Sequence, residues 1–262
     1  MQILKIMTAL SFLFINLLLI TTIIRPCFAS ESDPYTFSQL FINDSAPAIN
    51  FVLENKIKKV VDELNRETSQ LNLSDRDYVS LLMKKLYSKP TTAELLPGGK
   101  ASLDRAFIGE WEHCIIWNNC EDWPKFERIV LRPGESVYDE SNYSSMLRFL
   151  APIFKLCGVR MGADKLTHMF DDGIGKFSLW LSQNYSLDQI YAVTLRAEFE
   201  LMGARFSEVA SPADVEAEIA GVKFFHDLLL GKDAFLCLDT RTKSLQIQKK
   251  IDICQYVNKN FD

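Results

Sequence analysis

The chain has 262 residues, 48% of them hydrophobic and 24% charged, with 29 basic against 34 acidic side chains and a formal charge of −5. An acidic balance of this kind gives no electrostatic reason to bind nucleic acid or anionic lipid. Composition is that of a globular protein, without repeats or low-complexity tracts, and the length allows one large domain or two small ones.

Residues 1–29 differ from the rest: Lys5, an apolar run over residues 7–24, then "RPCFAS", whose Cys27 and Ala29 suit a small-residue cleavage site. This reads as a secretory signal peptide cut after Ala29. The same run is long enough to be an uncleaved signal anchor in the inner membrane, since about 18 to 20 apolar residues cross a bilayer. Cys27 follows "IRP", where a lipoprotein signal has a small residue, so lipidation is not indicated. Without residues 1–29 the body keeps 27 basic and 34 acidic side chains, a charge of −7. The expected place is the periplasm or the exterior of a bacterial cell. There the partner is a small molecule or an envelope component, with no nucleic acid and with room for peripheral membrane or cell-wall association.

A helical region is expected over 30–120. "APAINFVLENKIKKVVDELNRE" carries an apolar stripe of Ile49, Phe51, Val52, Ile57, Val60, Val61 and Leu64. "SDRDYVSLLMKKLYSK" opens on Ser74 with Asp77 three residues on and stops at Pro90, and residues 101–117 read as a third helix. Residues 121–142, with Pro124, Pro133 and Gly134, form a loop-rich connector in which "RIVL" offers at most a short strand. A C-terminal helical core follows over 143–262, with helices expected at about 143–157, 163–183, 187–202 and 212–230. Ser211 caps the last of these, with Pro212 in its first turn. Alternation around "SLQIQKKI" predicts a short β-hairpin near the C-terminus, tied by a disulfide. The fold class is therefore mainly α, a multi-helix orthogonal or bundle-like domain with a loop-rich middle.

Five cysteines remain in the mature chain, and in an oxidising compartment two bridges and one leftover thiol are expected. Short separation pairs Cys114 with Cys120 and Cys237 with Cys254. It leaves Cys157, in the apolar "APIFKLCGV", as a small buried thiol.

The candidate chemistry joins three segments. "GADKLTHMFDD" sets Asp164, His168 and Asp172 at i, i+4 and i+8 on one helical stripe, "RAEFELMG" supplies Glu198 and Glu200, and "SPADVEAEIAG" supplies Asp214 and Glu218. Facing helices can project such groups into one pocket. Asp164, His168, Asp214 and Glu218 would then hold a divalent metal such as zinc or manganese. Glu198 or Glu200 would act as base, and Lys165 would steady developing negative charge in a metal-assisted hydrolysis. The competing reading is a non-enzymatic binding or scaffold protein: Asp164 caps a helix, Lys165 pairs with a neighbouring carboxylate, His168 is a satisfied core residue, and the cluster is a structural ion-pair network. "EWEH" places Glu110 and His113 at i, i+3 without a second copy, and His226 lies near a helix end; both read as structural. No zinc-protease, serine-hydrolase or phosphate-loop motif is present, and "GIGK" at 173–176 lacks phosphate-loop spacing.

The block "APIFKLCGVRMGADKLTHMFDDG", then "SPADVEAEIAGVKFFHDLL", "FLCLD" and "IDICQYVNKNFD", resembles a family of uncharacterised bacterial exported proteins. That family is built on a G-x-DK-x-x-H-F element and an S-x-AD-x-x-A-N-x-x-G element. The likeness covers roughly residues 137–262; a shorter DKxxH similarity extends to small membrane proteins of the YfiM and VanZ type. It implies Asp164, Lys165, His168, Glu198 or Glu200, Asp214 and Gly221 as the marked positions, and it brings no activity. The chain departs from the pattern at Met169, where Phe is usual, at Pro212, where an aromatic is usual, and at Glu218, where Asn is usual.

Overall fold

The computed structural model describes residues 39–68, 75–86, 124–130, 151–201, 210–239 and 241–261. The expected leader at 1–29, the helix at 101–117, the Cys114–Cys120 pair, the Glu110/His113 pair, the Ser74 cap and most of the 121–142 connector lie outside the described residues.

Helix α1 (Ala46–Thr68) forms where the sequence predicts it and buries Ile49, Val52, Leu53, Ile57, Val61, Leu64 and Thr68. Leu53 joins that face at i+4 from Ile49. Phe51, two residues and about 200° from Ile49, falls on the opposite side and is 54% exposed. Helix α2 (Asp75–Leu86) packs on α1 through Tyr78, Leu82 and Leu86. Helix α1 also grips the far end of the chain. The Asn50 side chain accepts the Ile253 N–H, and Asn65 bonds both the N–H and the carbonyl of Leu245.

The helix expected over 143–157 is not what the described part of that segment forms. Residues Ile153–Leu156 are strand β1, paired antiparallel with β2 (Val159–Gly162). The turn between them is Cys157–Gly158, with φ of 53° and 84°. Two successive left-handed residues give the mirror-image turn that matches strand twist, and a glycine at the second position makes it affordable. Ile129, in the expected "RIVL" strand, makes a single bridge to Ile153, bonded in both directions. Asp44 fixes the turn from outside, accepting the N–H groups of Cys157 and Gly158.

The disulfide assignment is corrected. Cys157 bonds Cys254 across 97 residues, and among the described residues Cys237 is a free thiol, exposed on β3. Short separation was a poor guide because loop-closure entropy grows only logarithmically with length, while bridging requires the two Cα atoms to lie within about 7 Å. Here they are 5.4 Å apart. On a chain-entropy account a loop of this length contributes about 4 to 5 kcal/mol through the unfolded state.

The core is organised around α6 (Pro212–Leu229), buried on nearly every side from Ala213 to Leu228. Ser211 caps it as expected, its hydroxyl accepting the Asp214 N–H, and Pro212 occupies the first turn. Against α6 lie α3 (Asp164–Thr167), a π turn (His168–Asp172) and α4 (Gly173–Gln183), then α5 (Leu187–Arg196) with a second π turn (Ala197–Leu201). Phe170, Phe177, Phe224, Phe225 and Tyr256 interlock edge-to-face or stacked along this contact. The C-terminal hairpin is present as β3 (Leu236–Asp239) and β4 (Ser244–Ile247), not tied by a disulfide. The described fold is thus mainly helical with two short antiparallel hairpins. No described helix is long and apolar enough to cross a membrane.

Candidate functional site

The site exists because α6 and the π turn touch backbone to backbone. A Cβ on Gly221 would stand 1.8 Å from the Met169 carbonyl oxygen, and one on Gly173 would stand 2.8 Å from the Gly221 Cα. Only glycine permits that approach. It brings Asp214 and Glu218, respectively two turns and one turn ahead of Gly221 on α6, against Asp164, His168 and Asp172. The extra residue in the π turn keeps His168 and Asp172 on the α6 side before α4 resumes; such turns recur at functional sites.

Two halves can be distinguished. In the inner half the Lys165 ammonium lies 2.5 Å from Asp164 Oδ2 and 2.5 Å from Asp214 Oδ1, with all three side chains no more than 4% exposed. In the outer half His168 is the hub. Its Nε2 is 3.3 Å from Asp214 Oδ2, and its Nδ1 is 3.2 Å from Asp172 Oδ2 and 3.4 Å from Glu218 Oε1. The other Glu218 oxygen, Oε2, is 2.9 Å from Lys176 Nζ. His168 is 13% exposed, and Asp172, at 48%, leads from the cluster to solvent.

Burial and charge compete at each group. Burial pulls the His168 pKa down, yet Asp214, and after it Asp172 and Glu218, hold it well above the usual imidazole value, which favours the protonated ring. Burial outweighs Lys165 at Asp164 and raises its carboxyl. At Asp214 burial also works upward, but His168 and Lys165 prevail and hold it below the usual range. Asp172 is likewise held low by its hydrogen bond to His168, against desolvation. Three basic side chains, Lys165, His168 and Lys176, thus face the four carboxyl groups of Asp164, Asp172, Asp214 and Glu218.

Of the residues singled out from sequence, Asp164, Lys165, His168, Asp214 and Glu218 meet in this cluster. Glu198 borders it: the carboxyl, raised by burial, accepts the Ser211 N–H at 2.9 Å and feels the charges of Asp214 and His168. Glu200 is not brought in; it pairs with Arg196 on the exposed side at 2.8 Å. His226 sits in the last turn of α6, stacked on Trp180 with ring centroids 4.7 Å apart, away from the cluster. Lys176 was missed. Its signal was available as the i+4 neighbour of Asp172, on the same face as His168.

Among the described residues two triads have ligating atoms close enough to hold a metal: Asp164, His168 and Asp214, and His168, Asp172 and Glu218. Two members of the inner triad, Asp164 and Asp214, already contact the Lys165 ammonium. Comparison with protein-family models, with curated proteins and with solved structures finds no match for this chain.

Proposed function

We propose that this chain is a non-enzymatic binding or scaffold protein of the bacterial cell envelope, in which the Asp164–Lys165–His168–Asp214–Glu218 cluster is an internal clamp joining α6 to the α3–α4 segment. The observation that carries the reading is Lys165, whose buried ammonium lies 2.5 Å from two buried aspartates. The protein supplies its own countercharge there, and a lysine already paired twice has little charge left to steady a developing anion. Location outside the cytoplasm is supported by the leader-like residues 1–29 and fits the Cys157–Cys254 disulfide, since such bonds persist in oxidising compartments.

The test is His168→Ala in metal-stripped protein. Breaking a buried pair costs roughly 3 to 5 kcal/mol, a fall in melting temperature on the order of 10 °C for a body of this size. An unchanged melting temperature would remove the clamp reading. Metal-assisted hydrolysis is the second reading, favoured by the solvent access that Asp172 gives to the His168 ring. In that reading Glu198, not Glu200, is the carboxylate near enough to act as base.

A further inference from the structure

The two halves of the cluster differ in how tightly they are closed. Around Lys165 the contacts are 2.5 Å, while around His168 Nδ1 they are 3.2 and 3.4 Å. Charge-assisted N–H···O contacts close to about 2.7 to 2.9 Å when two groups are free to satisfy each other. The outer separations are longer than that. They match the ligand-to-ligand edge of a tetrahedral site, about 3.3 to 3.4 Å for bonds of about 2.0 to 2.1 Å.

Orientation agrees with spacing. A metal-binding histidine usually donates its other ring N–H to a carboxylate, which fixes the tautomer and raises ligand basicity. Asp214 Oδ2 stands beside Nε2 in that role, turning Nδ1 toward Asp172 and Glu218. Lys176 holds Glu218 Oε2 and leaves Oε1 facing the ring. The mixed nitrogen and oxygen donors suit a borderline cation better than calcium or magnesium, which favour all-oxygen sites.

We infer that His168 Nδ1, Asp172 and Glu218 form a binding site for one divalent transition-metal cation of the zinc class, with a fourth position open to water on the Asp172 side. The inference rests on the clamp reading, because Lys165 closes the inner half and leaves the outer half as the place where a cation can enter. It replaces the ligand set expected from sequence by dropping Asp164, moving Asp214 to a positioning role and adding Asp172.

The full chain, stripped with chelator, is titrated calorimetrically with zinc chloride, and with calcium chloride for comparison. The expected result is one zinc ion per chain and no saturable calcium binding. Asp172→Asn, which keeps the shape of the side chain, is expected to weaken zinc binding at least tenfold in protein whose circular dichroism shows the parent fold, and Glu200→Gln to leave zinc affinity unchanged. Equal zinc affinity in parent and Asp172→Asn, or no saturable binding at concentrations up to about 100 μM, overturns the site. The clamp is read from metal-free stability and the site from zinc binding, so either can fail without the other.

Discussion

Lys165→Met is the sharpest perturbation of the clamp, because methionine keeps the length and most of the volume of the side chain while deleting its charge. The structure gives the size of the effect in two ways. Removing one partner of a buried charge pair costs roughly 3 to 5 kcal/mol. Independently, Asp164 and Asp214 would be left with no ammonium between them, and the simplest relief is for one to take up a proton. Bringing a carboxyl with an ordinary pKa near 4 to its neutral form at pH 7 costs about 4 kcal/mol. The two routes agree. The second also fixes the pH dependence: the folded variant binds one more proton than its unfolded chain, so its stability relative to the parent rises as pH falls, by about 1.4 kcal/mol per unit. Urea denaturation followed by circular dichroism at pH 7 and pH 5 measures both. A loss below about 1 kcal/mol at pH 7, or a loss equal at the two pH values, would refute the argument that Lys165 neutralises two buried carboxylates.

Two further outcomes test how the site is built. Gly221→Ala puts a methyl 1.8 Å from a backbone oxygen that no rotamer can move, so overpacking costs about 1 to 3 kcal/mol or more. Gly175→Ala, on α4 with nothing within 4 Å of its Cβ, should instead gain about 1 kcal/mol from helix propensity; thermal melts of the pair should move in opposite directions. Burial works to raise the Asp44 carboxyl, but the N–H groups of Ala46, Gly158 and Cys157 hold it below the usual range. A depressed pKa gives stability that is present above about pH 4, the unfolded value, and lost as pH falls through the folded one. Asp44→Ala should therefore lower the amide protection factors at Cys157 and Gly158 at neutral pH, and acidification below about pH 4 should lower them in the parent once the slower intrinsic exchange in acid is divided out.

Much of the site could be read from spacing alone. DKxxH and SxAD place their ionisable groups at helical intervals, and Ser211–Pro212 announces the start of α6. What spacing could not supply was register. Glu198 and Glu200 are equivalent candidates on paper, and a π turn over Ala197–Leu201 settles which one turns inward. From sequence Lys165 reads either as a cation that steadies developing charge or as the partner of a neighbouring carboxylate; lysines are rarely buried unless paired, and here its two partners lie on different elements. The β1–β2 hairpin was hidden for a local reason. Its turn uses Cys-Gly in place of the familiar Asn-Gly, and the flanking "IFKL" is as compatible with a buried helix as with a strand. The disulfide then followed the hairpin, since the left-handed turn is what presents Cys157 to the tail around Cys254.

Stability by itself does not explain why the core retains such a cluster. Replacing a buried ionic network with apolar side chains of similar volume is often neutral or stabilising, and the aromatic layer around Phe170 and Phe224 shows that this interface accommodates apolar packing. What the charges add is direction. An apolar contact between α6 and the π turn could slide, whereas Lys165 is held between aspartates from two elements and His168 touches carboxylates through both ring nitrogens, so only one register satisfies every pair. A clamp needing registry alone could be sealed throughout. The long outer contacts and the exposed Asp172 leave one side unsealed, and that asymmetry separates a pure registry device from one that also receives a cation.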